Sequence, residues 1–155
     1  MLKPTPEQSV SASNVISKYL DRTPLELNTE LCSRIGAESY VKCEYMSPVR
    51  SFKARGALNL VHHLKQLKKV SHLSTASTGN HGAAMSFACR KYGLPLTVGV
   101  PVNADKSKVA LIRKFGAKLE FLGRDLDETK KIMLQNPAHS ETFFIEDGSS
   151  SEIVA

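Results

Sequence analysis

From Val70 onward the chain alternates short apolar runs with amphipathic helical stretches, and that rhythm limits its possible folds more than any other feature. Residues 70–76, 96–100, 118–122 and 142–145 read as strands, and 82–92, 105–115 and 127–134 as the helices between them. Strands separated by helices imply a parallel sheet joined by right-handed crossovers. An internal echo supports the spacing: Arg90-Lys91-Tyr92-Gly93-Leu94-Pro95-Leu96 is matched one unit later by Arg113-Lys114-Phe115-Gly116-Ala117-Lys118-Leu119. Each copy sets two cations in a helix's last turn, where they suit the negative dipole end. A glycine then stands where a left-handed residue is needed. In such sheets ligands gather at the carboxyl ends of the strands.

The segment before Val70 is less regular. Residues 1–13 are rich in proline and serine and are expected to fray, with a short helix from Ser13 or Asn14 to about Leu20. Arg22-Thr23-Pro24-Leu25 breaks it. Residues 29–34 read as a helix closed by Gly36, and residues 40–45 as a strand with Val41, Cys43 and Tyr45 on one face. Ser51 is the expected N-cap of a helix whose apolar stripe is Ala57, Leu60, Val61, Leu64 and Leu67.

Composition narrows the class further. With 155 residues, 41% hydrophobic and 23% charged, the chain is neither collagen-like nor disordered. It is long enough to bury a core without disulfides or metal. A net charge of +6 suits an anionic small ligand but is too dispersed to indicate nucleic acid. Cys32, Cys43 and Cys89 form no C-x-x-C, and no apolar run reaches the length of a membrane span. The expectation is a cytoplasmic protein with neither a nucleic-acid nor a membrane partner. His62, His63, His72 and His139 have no partner at metal spacing, so no metal site is expected.

Two loops carry potential chemistry. In Ser51-Phe52-Lys53-Ala54-Arg55-Gly56-Ala57 the lysine sits in a first helical turn, where the helix dipole and Arg55 both disfavour its ammonium form. A lysine so placed can serve as an amine nucleophile toward a carbonyl; an arbitrary lysine there is otherwise a solvated surface residue. In Ala76-Ser77-Thr78-Gly79-Asn80-His81-Gly82 hydroxyls, glycine amides and an asparagine meet at a helix start, a concavity suited to a carboxylate or phosphate. Taken alone this is ordinary helix capping. It is neither a P-loop nor G-x-G-x-x-G.

In this order and setting the two loops resemble those of fold-type II pyridoxal-phosphate enzymes, the tryptophan-synthase-β-like group. Within that group the chain is most similar to threonine/serine dehydratases and serine racemases. The resemblance runs from about Thr23 to Ala155. Besides the two loops it rests on Arg22-Thr23-Pro24-Leu25, Lys42-Cys43-Glu44, Pro48-Val49-Arg50, and Val100-Pro101 with Lys108, Ile112 and Phe115-Gly116-Ala117. It implies that Lys53 forms the Schiff base with pyridoxal 5'-phosphate and handles the α-proton. It also implies that Phe52 packs near the cofactor ring and Asn80 bonds its phenolic oxygen. Ser77, Thr78, Gly79 and His81 would frame the substrate carboxylate, with Lys53 and Thr78 as the catalytic residues.

The implied activity is α,β-elimination on a small hydroxy-amino acid such as L-threonine or L-serine, giving a keto acid and ammonia, in a homo-oligomeric full-length enzyme. Racemisation or β-replacement are other reactions of the group, and a non-catalytic small-domain binding protein is a further alternative. Arg50 stands where many relatives have glycine, which favours the dehydratase branch. Relatives continue past Ala155 into a glycine-rich phosphate-holding stretch, and no two glycines are adjacent in this chain. The expected organisation is therefore a truncated one. Residues 1–66 would be the N-terminal part of an incomplete larger α/β domain. Residues 67–146 would be a small domain with a parallel four-stranded sheet and helices on both faces, and residues 147–155 a return to the large domain. Such a piece is expected to be weak or inactive alone.

Overall fold

The computed structural model describes residues 3–68 and 70–154. Four parallel strands, β3 (Leu73–Ala76), β4 (Leu96–Val100), β5 (Lys118–Phe121) and β6 (Phe143–Phe144), form one sheet in the order β5-β4-β3-β6. Leu73 pairs with Leu96 on one side and Phe143 on the other, and Thr97 pairs with Lys118. Helices α4 (Asn80–Tyr92), α5 (Lys106–Lys114) and α6 (Leu126–Gln135) make the crossovers. The path steps outward from β3 to β5 and then returns past two strands to β6. With right-handed crossovers, that reversal puts α6 on the opposite face from α4 and α5. Gly99 marks the α6 side: a Cβ there would lie 2.2 Å from Met133 Sδ, so only glycine lets α6 lie this close to β4. The alternation read from the sequence thus becomes a parallel α/β sheet covered on both faces.

Helix ends follow the sequence signals. Gly93 and Gly116 both have positive φ, at 64° and 87°, as the repeated Lys-aromatic-Gly pattern requires. Asp105 caps α5 by accepting from the amides of Ser107 and Lys108, and Asp125 caps α6 by accepting from Glu128. The core lies between the sheet and the α3–α4 pair, where α3 spans Lys53–Gln66. Leu58, Val61, Leu73, Met85, Ala88, Val98 and Ile112 are fully enclosed there. Burial pushes the Cys89 thiol up to about 12, so it behaves as a small apolar side chain.

The N-terminal portion departs most from the sequence reading. Residues 6–13, expected to fray, form most of α1 (Pro6–Ile16). Thr5 Oγ1 accepts from Gln8 N at 3.3 Å and Gln8 Oε1 accepts from Thr5 N at 2.8 Å, a reciprocal cap. Pro6 fills the first helical position, where its missing N–H costs nothing. Ala12, Val15 and Ile16 are buried, and the helix stops at Ile16 rather than running to Leu20. The expected strand 40–45 is cut short: β2 is Tyr40–Lys42, paired antiparallel with β1 (Leu25–Leu27), and Glu44–Met46 turns into a 3-10 helix. Cys43 is buried while Tyr45 is exposed, so the predicted common face does not form. Helix α2 (Thr29–Ile35) ends at Gly36, φ 69°, as expected. Together β1, β2 and α2 leave Leu25, Leu27, Ile35 and Tyr40 open to solvent.

Candidate functional site

The carboxyl ends of β3 and β6 lie side by side where the strand order reverses, the place in an open α/β sheet where a crevice forms. A cleft of about 440 Å³ opens there, lined by Phe52, Lys53, Gly56 and Ile153 on one side and His81, Asp147 and Gly148 on the other. Arg55 completes its wall.

Lys53 opens α3. Ser51, the expected N-cap, stands one residue outside the cap position held by Phe52, yet its Oγ still accepts from Lys53 N at 3.3 Å. The preceding turn is tight: Arg50 adopts φ 56° and donates its amide to Ser47 O at 2.8 Å. That left-handed conformation explains why glycine suits this position. The Lys53 ammonium is ion-paired with the Asp147 carboxylate. Asp147 follows β6 in a turn closed by Ser149 N donating to Glu146 O at 3.2 Å, with Gly148 at φ 72°.

These contacts correct the electrostatics expected around Lys53. Arg55 is not a free cation: its Nε and Nη2 fork onto Glu44 at 3.0 and 2.9 Å, and Nη2 also reaches Thr23 Oγ1 at 3.3 Å. Thr23 in turn donates to Glu44 at 2.8 Å. The Arg55 bond holds the Glu44 carboxyl below its usual range, against the opposing effect of burial. The field at Lys53 thus comes from a neutralised arginine and an adjacent carboxylate.

In the second loop Ser77 is buried, and its Oγ accepts from Gly79 N at 3.3 Å and Gly82 N at 2.9 Å, tying the loop to the start of α4. A hydroxyl has two acceptor sites, so its proton is still free to donate. Thr78 and Gly79 are half-buried, Asn80 is exposed, and none of residues 77–80 lines the cleft. His81 does. It is 5% exposed, its Nε2 lies 3.2 Å from Thr75 Oγ1, and its Nδ1 lies 3.4 Å from Asp147 Oδ1. Burial lowers its pKa below the ordinary imidazole value; Asp147 opposes that shift and Lys53 adds to it.

The structure thus gathers Phe52, Lys53 and His81 on one cleft and leaves Ser77, Thr78, Gly79 and Asn80 on the loop beside it. Asp147 was missed by sequence reasoning. It lies 94 positions from Lys53, and no local pattern marks an aspartate before a glycine as anything but a turn. Of the other histidines, His72 Nε2 meets Thr97 Oγ1 at 2.9 Å, His139 Nε2 meets Glu120 Oε2 at 3.0 Å, and His62 packs its ring between those of His63 and Tyr92. Among the described residues no group of three metal-ligating side chains comes together, and no helix is long and apolar enough to cross a membrane.

A family model described as pyridoxal-phosphate dependent enzyme matches residues 16–155. The chain belongs to this family. Pyridoxal phosphate is the family's cofactor, and a cleft of this volume with a lysine amine on its wall fits an aldehyde of that size. Serine racemase of Schizosaccharomyces pombe is 30% identical over 132 residues, covering 85% of this chain and 41% of that protein. L-threo-3-hydroxyaspartate ammonia-lyase of Saccharomyces cerevisiae is 33% identical over 132 residues, covering 85% of this chain and 40% of its own length. Among solved structures, that of maize serine racemase superposes with a TM-score of 0.89 at 24% identity, covering 99% of this chain and 46% of that one. The chain therefore spans about two-fifths of the length of these curated relatives.

Proposed function

We propose that this chain carries the lysine and carboxylate-framing loop of a pyridoxal-phosphate-dependent ammonia-lyase for small β-hydroxy-amino acids of the L-threonine/L-serine class. The observation that carries this reading is the Lys53 amine on the wall of a cleft at the strand-order switch, beside the 77–81 loop that follows β3. The relatives' names agree with the substrate class, since serine and 3-hydroxyaspartate both carry a hydroxyl on the β-carbon.

When bound, pyridoxal phosphate supplies an aldehyde for an amine and a ring that accepts electron density from the substrate α-carbon. In this reading Lys53 Nζ would hold the cofactor through its amine and would serve as the base toward the substrate α-proton. Phe52, whose ring is exposed at the cleft, covers the cofactor ring. Asn80 bonds the phenolic oxygen. Ser77, Thr78, Gly79 and His81 frame the substrate carboxylate, and the mobile proton of Ser77 is available for it. Residues 1–66 serve as part of the cofactor-binding large domain and 67–146 as the small domain, in a homo-oligomeric, cytoplasmic enzyme. Racemisation is the second reading, favoured by the fission-yeast relative and by the Thr78 hydroxyl, which can face the substrate α-carbon from the other side.

The deciding experiment treats the chain with pyridoxal phosphate and borohydride and maps the adduct by mass spectrometry. Reduction onto Lys53, absent in Lys53→Ala, is the expected result, and an adduct spread equally over surface lysines overturns the proposal. With L-threonine and L-serine, the expected product is keto acid rather than D-serine, formed slowly by the chain on its own.

A further inference from the structure

The contact between Lys53 and Asp147 is part of a longer series. Thr75, fully buried on β3, bonds His81 Nε2 at 3.2 Å. His81, buried at the start of α4, sets Nδ1 3.4 Å from Asp147 Oδ1, and the other oxygen of Asp147 pairs with Lys53. The Thr75 hydroxyl can donate to Nε2 or accept from it, so either tautomer satisfies that bond; the one with its proton on Nδ1 also turns an N–H toward the Asp147 carboxylate, which only accepts. Asp147 itself is fixed at both ends. Ile145 N donates to Ser74 O at 2.8 Å before it, and the turn bond from Ser149 to Glu146 closes after it. The remaining charges near the cleft are spent elsewhere: Arg55 is forked onto Glu44, and Glu146 is ion-paired with Lys130. Asp147 is thus the anion that faces Lys53 from the opposite wall, backed by a neutral histidine and a buried threonine.

We propose that Asp147 is the positioning residue of Lys53, a carboxylate latch that holds the resting amine across the cleft and releases it before the amine is used as a nucleophile. The inference rests on the reading of Lys53 given above. The side chains of Lys53 and Asp147 are 29% and 49% exposed, so the pair is partly screened and can open without great cost.

Competitive acetylation tests this without cofactor or substrate. The whole chain is labelled at pH 8 with trace acetic anhydride, and Lys53 is compared with Lys91 and Lys131 as internal references. Asp147→Asn keeps the shape and removes the charge. It is expected to raise Lys53 labelling about two- to fivefold, the range set by a half-exposed ion pair, whereas Asp147→Glu keeps the wild-type value. In long-range proton–nitrogen spectra, wild-type His81 shows the Nδ1–H tautomer, and Asp147→Ala loses that preference while the amide spectrum of the rest of the chain is retained. Unchanged Lys53 labelling in Asp147→Asn, or equal labelling in the Asn and Glu variants, overturns the latch. The borohydride adduct on wild-type Lys53 separates this from failure of the functional reading: an adduct with no response to Asp147 refutes the latch alone, and no adduct refutes the role of Lys53.

Discussion

Replacing Gly56 by alanine adds one methyl group to α3 at the point where the chain's last described helix, α7 (Ser151–Val154), crosses it. A Cβ at Gly56 would lie 2.0 Å from the Ile153 carbonyl oxygen and 2.9 Å from its carbon. Real Cβ atoms stay beyond 3.0 Å, so one backbone must retreat by about 1 Å or more. Helix α3 is fourteen residues long and buries eight of them, whereas α7 has four residues, so α7 is the one that moves. Alanine in a helix interior gains about 1 kcal/mol over glycine, while overpacking typically costs about 1–3 kcal/mol. If α7 stays docked, the chain loses up to about 2 kcal/mol; if α7 lifts off, the overpacking cost is relieved and the helix gain survives. Lifting α7 also breaks the bond from Asn59 Nδ2 to Glu152 O, 2.8 Å long, which anchors α7 to α3. The expected outcome is faster amide exchange over 151–154 and an altered Asn59 side-chain amide resonance, with global denaturation shifted by less than about 2 kcal/mol. Because Ile153 walls the cleft, capture of pyridoxal phosphate on Lys53 should fall as well. A variant about 1 kcal/mol more stable than wild type, with α7 as protected as before, would refute the close approach and the geometry built on it.

Three other perturbations address separate parts of the molecule. Glu44→Gln leaves one acceptor for the Arg55 fork and should cost about 1–2 kcal/mol in denaturant unfolding, the value of a charge-assisted bond that is half retained. His81 has its pKa lowered by burial, so the unfolded chain binds protons more readily. Its contribution to stability is complete above the ordinary value near 6.5 and is lost as pH falls from there through the folded value. Imidazole resonances followed from pH 8 to 5 should place the His81 midpoint below 6.5, and a midpoint above it would contradict the buried neutral ring. Arg50→Gly relieves a left-handed position of a penalty of about 1–2 kcal/mol, of which the looser unfolded chain takes back about 0.4–1, so a net gain of about 0.5–1 kcal/mol is expected; a loss of stability would argue against φ 56° there.

The parallel sheet was legible because its signals are local. Lys118–Phe121 and Leu96–Val100 are short apolar or alternating runs, and each preceding helix ends on its own glycine, so a window of ten residues holds the needed pattern. The N-terminal helix escapes a reading by composition, which sees only its proline and serines. In Thr5-Pro6-Glu7-Gln8 the order matters: threonine at the cap, proline first and glutamine third close the helix end, and the amphipathic side follows from Ala12, Val15 and Ile16. The strand expected over 40–45 failed for a tertiary reason. Cys43 donates its amide to Pro24 O at 2.9 Å, the last bond of the β1–β2 ladder because Pro24 has no N–H to return, and the chain then turns and brings Glu44 onto Arg55. Alternation alone cannot register a turn set by a partner some twenty residues away.

The site divides in the same way. Phe52, Lys53 and His81 were visible because each sits in a short motif at a helix start, and the fold brings both starts to one crevice. The charges that govern Lys53 were not visible, since they belong to pairs far apart in sequence. A reading confined to α3 sees Lys53 and Arg55 as two cations repelling each other. The folded chain gives each its own carboxylate, Glu44 from before the helix and Asp147 from beyond the last strand. These two pairs differ in burial, and that difference separates their uses. The Arg55–Glu44 fork is two-pronged, capped by Thr23, with side chains 31% and 19% exposed, which suits a fixed tie between the cleft wall and the β1–β2 segment. The Lys53–Asp147 pair makes a single contact and is more open, so it can part. In the proposed role, a lysine that both waits and reacts is better served by the second arrangement. Exchanging the two carboxylates' characters, with a buried fork at Lys53, would lock away the one amine that the described residues offer to the cleft.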